Sequence, residues 1–174
     1  MYPGHFAAGL ILKISEPEAS TLGIMVGVGF LDLVFAAGVG LGVEGGTLQH
    51  LITPWSHSLL MAVVWSLCYS LVFWSAGVRV SAVMGLAVFS HWLLDLVSHH
   101  PDMQLWPYSH IELGYGPLFG GLGGWFELVI SIPGIVVYVA WARRPTNRER
   151  RWPVTVLMMA AMYFAEVVVA HPFR

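Results

Sequence analysis

Long apolar runs alternate with short polar breaks along this chain. Five runs, Thr21–Val43, Ser58–Ala76, Val80–Ser98, Gly123–Trp141 and Pro153–Ala170, approach the roughly 20 residues that a helix needs to cross a bilayer. A shorter run, His5–Ile14, closes at Lys13, Glu16 and Glu18. It is too short to span and reads as a half-helix, re-entrant or interfacial. The pattern predicts an all-α polytopic membrane helix bundle over residues 1–174. It has one domain, about five transmembrane helices, a short N-terminal half-helix and no sheet. Gly23 and Gly27 stand four apart, a spacing that lets helices approach closely.

Composition supports the membrane reading. The chain is 57% hydrophobic and 10% charged, against about 25% charged residues in soluble domains. Membrane lipids are its expected surroundings. No basic patch with interleaved aromatics occurs, which argues against nucleic acid as a partner. The single cysteine, Cys68, excludes a disulfide framework and a thiolate metal site. Met1–His5 carries neither the charged n-region nor the cleavage site of a secretory signal. Arg143, Arg144, Arg148, Arg150 and Arg151 cluster in one break and mark it as cytoplasmic. Lys13 and Arg79 then fall on the same side. The N-terminus is expected inside, and the breaks holding His57 and residues 99–122 outside.

The candidate chemistry lies inside the runs. His91 and Asp95 are one helical turn apart on one face, a spacing that suits a metal-ligand pair or a hydrogen-bonded proton pair. At about 1.5 Å rise per residue, Asp95 and Glu127 lie roughly 24 Å from the inner face. Glu166 lies roughly 22 Å from it, His91 roughly 18 Å and Asp32 roughly 16 Å. His57 sits at the outer mouth of the second run. His5 reaches roughly 12 Å inward if its helix is re-entrant. Intramembrane ionisable groups are costly and face a bundle interior. A divalent cation would neutralise several of these carboxylates at once and keep the imidazoles neutral. Protonated carboxyls bonded to His, Ser56, Ser58 and Ser90 are the alternative.

The long outer break carries His99, His100, Asp102, His110 and Glu112. These groups suit a phosphate head group, a second metal or no ligand at all, and Asp102 after Pro101 suits a turn. Trp106, Tyr108, Tyr115 and Trp125 fit an interfacial aromatic belt. Gly116, Gly120 and Gly124 recur at a spacing that favours close packing.

Four pieces carry a resemblance: His5-Phe6-Ala7-Ala8-Gly9, Phe30-Leu31-Asp32, Pro54-Trp55-Ser56-His57-Ser58-Leu59-Leu60 and Ser90-His91-Trp92-Leu93-Leu94-Asp95. Together they resemble the YdjM-like family of bacterial inner-membrane proteins, described as metal-dependent hydrolases. The stretch Ser98-His99-His100-Pro101-Asp102-Met103-Gln104-Leu105-Trp106-Pro107 looks like a subfamily of that group. The ligand order is also similar to that of the phospholipase C and P1 nuclease family, helical zinc enzymes that cleave phosphoesters. The resemblance implies His5, Asp32, His57, His91 and Asp95 as metal ligands, zinc as the metal, and Asp95 as a catalytic residue that bridges two metals. It implies Glu127 as a further ligand or general base. The chain lacks a clear second His-x-x-x-Glu pair, which sets it apart from the soluble enzymes.

Two classes of function follow. One is a metal-dependent hydrolase acting on a phosphoester of a lipid or amphiphile at the outer leaflet. The other is non-catalytic: an ion or proton carrier, or an accessory subunit of a larger membrane assembly. An enzyme needs an open coordination position. A carrier needs access from both sides, and no inverted repeat is visible.

Overall fold

The computed structural model describes residues 3–47, 50–115 and 123–145, with positions 153, 155 and 157. The order is α1 (Pro3–Ser15), α2 (Thr21–Val28), α3 (Phe30–Gly40), β1 (Gly45–Thr47), β2 (His50–Ile52), α4 (Leu59–Val72), α5 (Val78–Ser98), β3 (Met103–Gln104), β4 (Glu112–Leu113) and α6 (Gly123–Ala142). The chain is mostly helical, as the apolar runs predict. Among the described residues, α5 alone is long and apolar enough to cross a membrane unaided. The pair α2 and α3 also qualifies if it forms one bent span. The run expected over Pro153–Ala170 lies outside the described residues, apart from three helical positions.

Helix α5 is the spine. Val80, Met84, Ala87, Val88 and Trp92 are buried along it, and α1, α2, α4 and α6 all pack against it. The glycines of α2 permit a close approach to α5 and α4. A methyl group on Gly27 would come within 3.0 Å of the Tyr69 ring and 3.1 Å of Ala87 Cβ. Tyr69 reaches across from α4 and donates to the Gly23 carbonyl at 2.7 Å.

Two expectations need correction. The run Thr21–Val43 is not one straight helix. It breaks at Gly29 and bends by 50°, and the Val28 carbonyl at the break accepts a hydrogen bond from a histidine of α5. Irregular backbone at membrane depth is tolerated where such partners satisfy it. Second, the chain is not free of sheet. Two short antiparallel ribbons, β1 with β2 and β3 with β4, close the breaks after α3 and after α5. They pair backbone groups that a plain loop would leave open, and in β1 Gly45 (φ 155°) and Gly46 (φ 114°) take up positive φ values that favour glycine. Lys13 stands in the last turn of α1. It is buried and donates to the Pro17 and Ala19 carbonyls, each at 2.8 Å, closing the C-terminal end of α1.

Helix α1 belongs to the bundle interior. His5, Ala7 and Leu10 are fully buried, and Ala7 meets the backbone of α6 at Gly134. Helix α3 ends in a Schellman turn. Gly42 takes φ 70°, its N–H donates to Val39 O, and the Val43 N–H donates to Gly38 O, both at 3.0 Å. This turn reverses the chain and lays Glu44 back against α3.

Candidate metal centre

Five sequence-predicted ligands converge. Asp32 stands in the first turn of α3, where the helix dipole favours a carboxylate. His57 lies in the turn before α4, and the Trp92 indole N–H holds its backbone carbonyl at 2.8 Å. His91 and Asp95 are consecutive on one face of α5, exposed by 1% and 2%. His5 enters from α1.

Four of these residues bring donor atoms close together. His91 Nε2 is 3.0 Å from Asp95 Oδ2, and His57 Nε2 is 3.4 Å from the same oxygen. The two Nε2 atoms are 3.4 Å apart. Asp32 Oδ1 is 3.5 Å from His57 Nε2 and 3.6 Å from His91 Nε2. Zinc–ligand bonds of about 2.0–2.1 Å give a tetrahedral edge of about 3.3 Å. The five distances straddle that value.

The hydrogen-bond network assigns the tautomers. His91 donates Nδ1–H to the Val28 carbonyl at 2.7 Å. The Ser56 hydroxyl donates to Glu44 Oε1 at 3.0 Å, so its oxygen accepts from His57 Nδ1–H at 2.7 Å. Both imidazoles therefore turn an Nε2 lone pair inward. Two lone pairs and two carboxylate oxygens around one point are all acceptors, and such a cluster calls for a cation or added protons. These residues fit a divalent metal on geometry and donor chemistry alike, and Asp32 and Asp95 balance its charge.

Asp95 faces two ways. Its Oδ1 is 2.9 Å from His5 Nε2 and 3.6 Å from His99 Nε2. His5, His91 and Asp95 form a second compact donor group sharing members with the first. A cavity of about 140 Å³ opens onto the cluster, lined by Asp32, His57, Asp95, His99, Asp102 and the apolar Phe35 and Met103, among others. Asp102 is more than a turn residue. It is buried, and its carboxylate lies 3.8 Å from His99 Nδ1. Burial works against the His99 imidazolium, but Asp102 and Asp95 outweigh it and hold the His99 pKa above the ordinary histidine value.

The sequence reading left His99 in the outer break, although it lies four residues beyond Asp95 and thus continues the face of His91. It missed Glu44 altogether, for which no local pattern existed. Glu127 lies on α6 with its side chain outside the described residues, and Glu166 and His171 also lie outside them. Trp106, Tyr108 and Tyr115 are exposed, as an aromatic belt requires.

Fold and site together define a helical membrane protein with a buried His/Asp cluster built on a central span. The profile of the YdjM inner membrane protein family matches residues 45–173, so the chain belongs to that family. The match takes in His57, His91, Asp95 and His99, while His5, Asp32 and Glu44 precede it. No curated protein and no solved structure matches the chain.

Proposed function

We propose that this chain is a multi-pass inner-membrane, metal-dependent hydrolase that acts on a phosphoester of a lipid or amphiphile at the outer leaflet. The observation carrying this reading is the inward convergence of His57 Nε2 and His91 Nε2, 3.4 Å apart, with Asp32 Oδ1 at 3.5–3.6 Å and Asp95 Oδ2 at 3.0–3.4 Å from both. Zinc suits two imidazoles and two carboxylates, and a bound zinc ion would polarise a phosphoryl oxygen and lower the pKa of its water towards 7. The chain's own part is to hold four donors at fixed spacing, admit a head group through the cavity, and keep the site dry on its other sides. His5 steadies the second oxygen of Asp95. His99, backed by Asp102, is a proton-carrying group at the cavity wall, and Glu127 keeps the general-base role that the family resemblance suggests. The topology has five spans. The N-terminus and the Arg143–Arg151 segment lie on the cytoplasmic side, and the cavity lies on the outer side.

A second reading has its own support. Four protein donors would leave a tetrahedral ion no open position, which is the habit of structural zinc sites. On that reading the metal stabilises a non-catalytic subunit of a larger membrane assembly. One experiment separates the two. Purified protein is assayed for metal and for hydrolysis of phosphatidylglycerol and phosphatidic acid in mixed micelles. Stoichiometric zinc, with turnover lost to chelator and restored by zinc, supports the hydrolase. Zinc without turnover favours the structural site, and absence of any divalent metal overturns both.

A further inference from the structure

The Glu44 carboxylate is buried, 7% exposed, at the start of the break between α3 and α4. Its Oε1 accepts three hydrogen bonds from the turn that carries His57: from the Trp55 N–H at 2.8 Å, the Ser56 N–H at 2.7 Å and the Ser56 hydroxyl at 3.0 Å. The same hydroxyl oxygen lies 2.7 Å from His57 Nδ1. The relay therefore runs carboxylate, hydroxyl, imidazole, and ends at the Nε2 that faces Asp95 and Asp32. The fold makes room for it. A methyl group on Gly38 would come within 2.7 Å of Glu44 Oε2, and the reversal at Gly42 is what returns Glu44 to that spot.

We propose that Glu44 is a positioning residue which, through the Ser56 hydroxyl, orients His57 and fixes its tautomer for metal ligation. The inference rests on the metal reading of the His/Asp cluster. The reason is general: a ligating imidazole is aimed and made more basic by the acceptor on its other nitrogen, and loss of that acceptor weakens metal affinity by about 10–100-fold. Glu44 does this at one remove. Its two backbone bonds set the turn, and its bond to Ser56 forces the serine proton away from His57, so that Nδ1 must carry the hydrogen.

The test uses full-length protein in detergent micelles titrated with Co²⁺ alone, read by visible absorption, and then with Zn²⁺ in competition. Wild type, Glu44→Gln, Ser56→Ala and the double variant are compared, with gel filtration and a thermal melt for each. The relay predicts a weakening of about 10–100-fold in both single variants, an altered cobalt spectrum, and a double variant no weaker than the worse single. Ser56→Ala leaves the two backbone bonds of Glu44 intact, so it decides the matter even if Glu44→Gln fails to fold. Wild-type affinity and spectrum in Ser56→Ala, whatever its melting temperature, overturn the relay and leave the metal site standing. Normal binding in Glu44→Gln alone removes Glu44 from the relay. Wild-type protein that binds no cobalt overturns the metal reading and this inference together.

Discussion

Replacing Asp95 by Asn keeps the shape of the side chain and removes its charge. Oδ2 lies 3.0 and 3.4 Å from the two inward Nε2 atoms, and the residue is 2% exposed. Loss of an outer-shell partner costs up to about 100-fold in metal affinity, so loss of a charged ligand costs at least that. At a free metal concentration 100 times the wild-type dissociation constant, binding stabilises the wild type by about 2.7 kcal/mol. A variant weakened 100-fold keeps about 0.4 kcal/mol under the same conditions. The difference of about 2.3 kcal/mol corresponds to roughly 5–9 °C in Tm for a chain of this size. The assay is a thermal melt in detergent with and without a strong chelator. Chelator should lower the wild type by the full amount of about 2.7 kcal/mol, roughly 5–11 °C, and Asp95→Asn by only about 0.4 kcal/mol. A hydrogen-bonded network of protonated carboxyls behaves differently, because Asn still donates and accepts. A wild-type melt indifferent to chelator, with Asp95→Asn melting alongside it, would refute the argument.

Further outcomes follow from the packing and the topology. Gly27→Ala drives a methyl group against the Tyr69 ring and Ala87 and should cost about 1–3 kcal/mol in a denaturant or thermal melt. Its metal affinity should fall too, because the Val28 carbonyl that aims His91 moves with α2. Trp92→Phe removes the 2.8 Å bond to the His57 carbonyl and leaves a buried acceptor unpaired, a loss of about 1–3 kcal/mol in the same melt. Metal affinity measured by competition should decline towards acid pH, since ligation needs neutral imidazoles. A topology reporter fused after Arg144 should report the cytoplasm, and a periplasmic signal there would invert the proposed orientation.

What the sequence disclosed follows the range of the forces involved. His91 and Asp95 were readable because a helix repeats every 3.6 residues and their spacing matches one turn. Asp32 was readable because a lone carboxylate in an apolar run must find a partner. The close approach of α2 to α5 was legible in Gly23 and Gly27. The break at Gly29 was not, because glycine is frequent in membrane helices and only the bond from His91 to Val28 shows its purpose. His99 was within reach of the i+4 rule but lies one residue past the end of α5, where helical spacing was no longer applied. Glu44 was beyond reach of any local rule. Its place depends on a reversal at Gly42 and on contact with residues eleven and twelve positions later. The two ribbons are only two or three residues per strand, too short for alternation to register.

The bend at Gly29 divides the donors between two bodies. Asp32 begins the short helix beyond the bend, and the far end of that helix grips the His57 turn through Glu44. His91 and Asp95 belong to α5. A cation at their meeting point would tie the helix beyond the bend to α5, beside the bond from Trp92 to the His57 carbonyl. Without the ion, that tie would fall to the Trp92 bond and to the packing of α2 on α5.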